Sequence, residues 1–351
     1  MAHLQAFCAP RPRGACGEGA RPRKRQFRII QIFAVTGLKQ PMELIRGLTN
    51  LGDKQRGSVV TIGTFDGLHL GHQGLLQRLQ GHATRLGRPA MLLTFEPMPR
   101  EYLAPLDPPA RLTSWRERWR ILCGTGLDSV CLLRFGESLR NLSGEEFAKL
   151  LARELQAPAV VVGHDFRFGR HGEATAPRLV ASGQRLGFAV DVVSPVTIEG
   201  ERVSSSGIRA ALARGDFEFA RRWLGRPYSM RGRVVRGNQL GRTLGFPTAN
   251  LRLERRRAPL AGIFAVRVRG DAEVGLAAGL PGVASLGTRP TVNGVETLLE
   301  AHVFDFAREL YGREIEVEFV AKLRDEERFA DLDALTAQMQ RDAAQAREIL
   351  K

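Results

Sequence analysis

The hydrophobic pattern of this 351-residue chain changes near Leu224, and no other feature constrains its fold as strongly. Before that point, short runs of apolar residues alternate with amphipathic stretches of helical spacing. After it, β-rich runs follow one another, separated by Gly, Pro and charged residues. Strands that are apolar throughout are typical of a parallel sheet with helices on both faces. Closely spaced short strands are typical of a small antiparallel barrel.

The pattern therefore predicts an α/β domain over residues 42–224 and a small antiparallel β-barrel domain with a C-terminal helix over 225–351. Strands of the first domain are expected at residues 59–62, 91–95, 130–133, 159–162 and 188–193. Ser143 and Glu146 form a capping box that opens a helix. Barrel strands are expected at residues 230–235, 263–268, 283–286, 298–304 and 315–321, and a terminal helix at 331–350.

Residues 1–41 are rich in Arg, Pro, Gly and Ala and lack any periodicity, which predicts a disordered basic tail. Eight Lys or Arg against one acid give this segment +7 of the formal net charge of +15, so +8 remains for the other residues. We expect the tail to be dispensable and to reflect an upstream start codon. A transit peptide is the first alternative, and a nucleic-acid arm the second.

The rest of the chain favours small polyanionic partners over nucleic acid, because its basic residues are interspersed with acids. Three Trp and three Tyr in the whole chain provide no aromatic platform for bases. A basic surface without a functional meaning is an equally good explanation of this positive charge.

No apolar run approaches the roughly 18 residues that span a membrane. The four cysteines show no Cys-x-x-Cys spacing, so we expect neither zinc nor disulfides, and a cytoplasmic location. The oligomeric state stays open.

The first motif, GTFDGLHLGH at residues 63–72, places two histidines in a glycine-rich turn between a predicted strand and a predicted helix. Such a turn presents backbone N–H groups and a helix dipole to a phosphate. His69 and His72 are spaced so that both imidazoles can face one α-phosphate and stabilise the charge that develops there. Two further stretches, RVSSSGIR at 202–209 and VGHDFRFG at 162–169, add a hydroxyl-rich helix start and a strand-end loop.

The second motif, GRTLGFPTAN at residues 241–250, follows a glycine-bounded loop that begins at Gly237. Gly237 and Gly241 allow a close approach to phosphate. Thr248 and Asn250 carry the neutral oxygens that Mg²⁺ accepts beside substrate phosphates. In the stretch LEAHV, Glu300 is expected to face inward as a general base in the barrel wall. The spacing alone is equally consistent with a glutamate that faces solvent.

Both motifs resemble those of the bacterial bifunctional riboflavin kinase/FAD synthetase family. The similarity covers residues 42–351 and continues through AGIF at 261–264, GTRPT at 287–291, LYG at 310–312 and KLRDE at 322–326. The resemblance implies a Rossmann-like nucleotidyltransferase domain followed by a kinase barrel. For the first domain it assigns ATP binding and adenylyl transfer to Gly63, Phe65, Asp66, His69, Gly71 and His72. It assigns binding of the ATP phosphates to Ser205, Ser206 and Arg209. It assigns the positioning of nucleotide and flavin to Asp165, Phe166 and Phe168.

For the barrel, the resemblance implies that Thr248 and Asn250 bind Mg–ATP, that Glu300 is the base on a ribityl hydroxyl, and that Arg324 lies near the flavin. The expected function is phosphorylation of riboflavin to FMN, followed by adenylylation of FMN to FAD with release of pyrophosphate. ATP is the co-substrate and Mg²⁺ the cofactor of both steps. The alternatives are an enzyme that retains one activity and a nucleic-acid-binding protein.

Overall fold

The apolar runs of the first half assemble into one six-stranded parallel sheet in the computed structural model, which describes residues 41–237, 241, 244–291 and 294–351. The strands of this half are β1 (Glu43–Arg46), β2 (Val59–Ile62), β3 (Ala90–Glu96), β4 (Ser129–Arg134), β5 (Ala159–Gly163), β6 (Arg167–Phe168), β7 (Ala174–Thr175), β8 (Ala189–Val193), β9 (Thr197–Ile198) and β10 (Glu201–Arg202). The sheet order is β1-β4-β3-β2-β5-β8. Strand β1 was not predicted, because this edge strand buries a single residue, Ile45. The predicted tail lies outside the described residues, except for Pro41.

Helices cover both faces of this sheet, as predicted. They are α1 (Leu70–Leu86), α2 (Pro99–Leu103), α3 (Trp115–Cys123), α4 (Glu137–Arg140), α5 (Gly144–Arg153), α6 (Ala176–Leu186), α7 (Ser205–Ala213) and α8 (Phe217–Leu224). Alternate residues of each strand enter two different apolar clusters. In β2, Val60 packs with helices α5 and α6, whereas Val59 packs with α1 and α3. The predicted capping box is present, since Ser143 Oγ accepts a hydrogen bond from Glu146 N.

The second half is a closed six-stranded antiparallel barrel with a terminal helix. Its strands are β11 (Ser229–Val235), β12 (Ala249–Arg252), β13 (Gly262–Arg269), β14 (Leu280–Thr291), β15 (Gly294–Val303) and β16 (Glu314–Arg324), and the helix is α9 (Leu332–Ile349). The order around the barrel is β11-β12-β15-β14-β13-β16. Strand β12 was not predicted, because it begins inside the second motif. Phe264, Val266 and Leu299 fill the interior, whereas Ala346 of α9 packs on the outside against Ala265.

The apolar core of the barrel continues into the last helix of the first half. The ring of Phe217 in α8 lies 5.9 Å from that of Phe264 and 6.1 Å from that of Phe319. Trp223 and Leu224 belong to the same buried cluster. A division of the chain at residue 225 therefore passes through a continuous core, although the barrel strands all lie beyond it.

Candidate active sites

The first motif forms a tight loop, residues 63–72, between β2 and α1, which we call the histidine loop. Its backbone adopts positive φ at Phe65 (50°), Gly67 (81°) and Leu68 (42°), a conformation that costs free energy for residues other than glycine. Glycine is required at position 67, since a Cβ atom there would lie 2.7 Å from Leu112 Cδ1. Strained backbone of this kind is concentrated at functional sites.

The two histidines of the loop stack on each other. Their ring centroids are 3.7 Å apart, and Phe65 stacks on His72 at 4.6 Å. His69 caps helix α1, because its Nδ1 accepts a hydrogen bond from His72 N at 3.4 Å. With Nδ1 as the acceptor, the proton of His69 is assigned to Nε2. Phe65, which was expected to bind ATP, is buried and supports the His72 ring.

Both imidazoles are neutral at pH 7. Burial lowers the pKa of His69 to about 4, and burial followed by the neighbouring His69 and Arg118 lowers the pKa of His72 well below its usual value. Among the described residues, His72 Nδ1 has no hydrogen-bond partner. A neutral imidazole can still donate one N–H group to an oxygen that gains charge in a transition state.

Asp66 and Arg209 bind each other inside the protein. The Asp66 carboxylate accepts hydrogen bonds from Leu112 N (3.0 Å), from Thr113 N (2.9 Å) and Oγ1 (3.0 Å), and from Arg209 (2.6 Å). Only 2% of Asp66 is exposed. In this structure, Asp66 therefore holds the histidine loop in place, and Arg209 is its ion-pair partner.

The hydroxyl-rich helix start lies against the same loop. Ser204 Oγ caps α7 by accepting a hydrogen bond from Gly207 N at 3.1 Å. Ser205 Oγ donates to the backbone oxygen of Asp66 at 3.0 Å, and Ser206 is exposed. A Cβ atom at Gly71 would lie 3.7 Å from the oxygen of Val203, which places the two segments side by side. The structure thus brings the helix starts of α1 and α7 together, and the N–H groups of a helix start can bind an anion.

The strand-end loop after β5 provides an aromatic pair. Phe166 stacks on Phe168 with 5.4 Å between ring centroids, and Phe168 in turn packs on Phe147 at 5.6 Å. Phe168 is buried and Phe166 is half-buried, so Phe166 is the better placed of the two to contact a ligand. Asp165 is exposed and pairs with Arg202.

Arg118 is a residue of this site that the sequence analysis missed. It is fully buried in α3, and its Nη1 donates to the oxygen of Thr64 in the histidine loop at 2.9 Å. Its Nε and Nη2 have no partner among the described residues, and burial lowers its pKa. The guanidinium lies over the ring of Trp115 at 5.7 Å. An arginine within an amphipathic helix carries no sequence signal that separates it from a surface residue.

The residues of the second motif meet in a cavity of about 410 Å³ beside the barrel. Of the residues predicted for this site, it is lined by Gly241, Thr248, Asn250, Glu300 and Arg324. Asn250 on β12, Glu300 on β15 and Ser285 on β14 are direct neighbours across the strands. Residues paired in this way share one face of the sheet, so these three side chains form a polar row.

The backbone approaches the polar row closely at Gly237, where a Cβ atom would lie 2.5 Å from Asn250 Oδ1. Gly237 itself does not line the cavity. Two residues of the motif, Arg242 and Thr243, lie outside the described residues.

The prediction that Glu300 faces inward is wrong. Its neighbours Leu299 and Ala301 point into the barrel core, so Glu300 points outward, into the cavity between the barrel wall and helix α9. Alternation along a strand establishes that a residue lies opposite its neighbours, but not which side is the barrel interior. Here the interior is apolar, and the cavity is covered from outside by Leu335 and Met339 of α9.

Helix α9 is held over the cavity by an ion pair between Arg324 and the buried Asp342, which the sequence analysis also missed. Arg324 donates to the carboxylate of Asp342 at 2.8 Å from Nη2 and at 3.1 Å from Nε. Gln338 donates to the same carboxylate at 2.8 Å. His302 also lines the cavity, and its Nδ1 lies 2.8 Å from the oxygen of Pro247.

The polar row suits a cation that arrives with phosphates and does not form a complete metal cage. Over the described residues, no group of three or more His, Cys, Asp or Glu side chains could hold a metal ion. Thr248 and Asn250 line the cavity with a hydroxyl and an amide oxygen, which fits a hard cation that is already partly coordinated by substrate phosphates.

None of the helices in the described part of the chain has the length and apolar character of a membrane span.

The parallel sheet with its histidine loop defines a nucleotidyltransferase-like domain, and the closed barrel with its terminal helix has the fold of a riboflavin kinase. Family models agree with this description: FAD synthetase matches residues 52–207, and riboflavin kinase matches residues 224–350. The chain belongs to the family of bifunctional riboflavin kinase/FMN adenylyltransferases. It is a transferase with both activities.

Relatives with this name are similar over most of their length. The proteins of Escherichia coli K12 and Pseudomonas fluorescens are each 45% identical to this chain, over 88% of it and over 97% and 98% of their own sequences. A crystal structure described as a macrolide-efflux protein from Streptococcus pneumoniae matches with a TM-score of 0.72 and 32% identity. The match covers 87% of this chain and 99% of that one. The likeness to that structure concerns the architecture of both domains.

Proposed function

We propose that the two reactions take place at two separate sites, with phosphorylation of riboflavin in the barrel cavity and adenylylation of FMN at the histidine loop. The observation that carries this proposal is the polar row of Asn250, Glu300 and Ser285, which lines a cavity that contains no residue of the histidine loop. The two stacked histidines lie in the other domain, at the carboxyl end of β2, where parallel sheets bind nucleotides.

In the cavity, Glu300 accepts the proton of the ribityl hydroxyl as the oxygen attacks the γ-phosphorus of ATP. The bond to ADP breaks, and FMN is formed. Thr248, Asn250 and the phosphates of ATP would hold Mg²⁺, which would neutralise phosphate charge. Leu335 and Met339 add apolar lining to the cavity on the side of α9. Arg324 contributes mainly by holding α9 in place through Asp342.

At the histidine loop, a phosphate oxygen of FMN attacks the α-phosphorus of ATP, and pyrophosphate leaves. His69 and His72 are neutral and donate N–H groups to the phosphate oxygens as their charge grows. Ser206 and the N–H groups at the start of α7 offer further donors to the leaving pyrophosphate. Gly63 and Gly71 allow the nucleotide to approach the backbone, and Phe166 provides a stacking surface for a ring.

The partners of the protein are accordingly riboflavin, FMN and ATP rather than nucleic acid. We expect this function to be carried out in the cytoplasm. The direct test is to incubate the full-length protein with riboflavin, ATP and Mg²⁺ and to separate the flavins over time. FMN should appear first and FAD later, and EDTA should stop both. If no flavin nucleotide forms, the proposal fails; if FMN alone forms, the adenylyl site is inactive.

A further inference from the structure

The segment of residues 111–118 contacts both the histidine loop and the kinase barrel; we call it the bridging segment. On the side of the histidine loop, the backbone N–H groups of Leu112 and Thr113 donate to the Asp66 carboxylate at 3.0 and 2.9 Å. Thr113 Oγ1 accepts from Gly67 N at 3.0 Å. Arg118 donates to the oxygen of Thr64 at 2.9 Å. The bridging segment thus holds the histidine loop through charged and backbone groups.

On its other side, the bridging segment is held by the barrel. Arg255, which follows β12, is fully buried and forms an ion pair with Glu117. It also donates to the backbone oxygens of Arg111 at 3.2 Å and of Leu112 at 3.3 Å. Leu112 therefore offers its N–H to Asp66 and its oxygen to Arg255.

Two further groups of the barrel strengthen this attachment. Tyr228 donates its hydroxyl to the oxygen of Leu112 at 3.1 Å, and Arg231 N donates to Glu117 Oε1 at 2.7 Å. The guanidinium of Arg255 also donates to Tyr228 at 3.2 Å. A planar guanidinium that binds a carboxylate and two carbonyl oxygens fixes their directions as well as their positions.

We propose that Arg255, although it belongs to the kinase barrel, is a positioning residue for adenylyl transfer. It acts through the bridging segment, which sets the place of Asp66 and hence of the histidine loop. None of the residues that line the kinase cavity belongs to the bridging segment, and Arg255 does not line that cavity. Loss of Arg255 should therefore impair FAD formation selectively. This inference rests on the proposed assignment of adenylyl transfer to the histidine loop.

The bifunctional enzyme supplies its own internal standard for the test. We would measure riboflavin phosphorylation and FMN adenylylation in the same preparation of full-length Arg255→Ala, Arg255→Lys and Tyr228→Phe. Arg257→Ala is the matched control, because Arg257 lies two residues further in the same loop, is exposed and pairs with the exposed Asp107. In Arg255→Ala, the ratio of adenylylation to phosphorylation should fall by about 10- to 10²-fold, mostly in kcat, as is typical for a displaced catalytic group.

Arg255→Lys should lie between the wild type and Arg255→Ala, and Arg257→Ala should keep the wild-type ratio. A folded Arg255→Ala with an unchanged ratio overturns the proposal. Equal losses of both activities overturn it as well, because a purely structural role would affect both sites. If Arg255→Ala does not fold, the ratios of Arg255→Lys and Tyr228→Phe decide. His72→Ala in the same assay tests the site assignment separately: if it does not lower FAD formation, the proposed function fails whatever Arg255 does.

Discussion

The imidazole ring of His69 stacks on that of His72 with 3.7 Å between their centroids, and burial lowers the pKa of both rings. Two adjacent imidazolium ions would repel each other, so this contact disfavours protonation of both rings at once. The stack therefore links the chemistry of the site to the stability of the fold.

Stability should fall as the pH is lowered through the range in which the unfolded protein protonates its histidines and the folded protein does not. For His69 this range extends from its ordinary pKa of 6.5 down to about 4. Within it the unfolded state binds more protons, so His69 can account for a loss on the order of 3 kcal/mol of unfolding free energy. Urea unfolding between pH 7 and pH 4 measures this loss.

The variant His69→Asn keeps a residue that can cap a helix and removes the titrating ring. Its unfolding free energy should depend less on pH than that of the wild type. His164→Asn changes an exposed histidine and is the control. If His69→Asn and the wild type lose the same free energy between pH 6.5 and pH 4, the ring is not held neutral.

His72→Ala should leave FMN formation intact and lower FAD synthesis by ~10²–10³-fold, the usual loss on removal of a group that stabilises transition-state charge. Separate assays with riboflavin and with supplied FMN measure the two activities. His82→Ala is a suitable control, because His82 lies on the same helix and pairs with Asp191. A comparable fall in FMN formation, in a variant that is still folded, would contradict the separation of the sites.

Glu300→Ala should reduce riboflavin phosphorylation by ~10²–10⁴-fold, as expected for a lost general base. The variant should still convert FMN to FAD, because the histidine loop lies in the other domain. Glu318→Gln changes another acid of the barrel that does not line the cavity, and it should phosphorylate riboflavin normally. Normal phosphorylation by Glu300→Ala would show that the hydroxyl loses its proton to another group.

A truncated protein that begins at Gly225 should keep kinase activity, since all the barrel strands and the cavity-lining residues lie beyond that point. It should be less stable than one that begins at Ser204, because it lacks Phe217, Trp223 and Leu224 of the shared core. Burial of one such side chain contributes about 1.5–3 kcal/mol, so the difference should be at least of that size. Urea unfolding of the two proteins tests this; equal stabilities would mean that the core of the barrel ends at residue 225.

Local patterns were sufficient for most strands of the main sheet and the barrel, for the terminal helix and for locating both motifs. Five strands of the parallel sheet, five of the barrel and the terminal helix follow from runs and periods within short windows. The strands of the main sheet and the barrel that were missed, β1 and β12, are short, and one lies at a sheet edge and the other within a motif. The two-residue strands β6, β7, β9 and β10 were missed as well, because they are too short to show a period. Motifs such as the histidine loop can be found because their chemistry requires several residues close together in the sequence.

The directions and partners of individual side chains depend on residues that are far apart in the sequence. In any strand, the side chain of Glu300 points away from the side on which Leu299 and Ala301 lie. Only closure of the six strands into a barrel decides that this direction is outward, toward helix α9. The motif predicts that Asp66 binds ATP. Only the folded chain shows that its carboxylate accepts hydrogen bonds from Leu112, Thr113 and Arg209. Arg118 and Arg255 carry no signal in the sequence, because the burial of Arg118 against the histidine loop and the ion pair of Arg255 with Glu117 arise from packing between distant segments. Local sequence patterns thus determined which residues belong to each motif. Packing between residues that are distant in the sequence determined the directions and partners of their side chains.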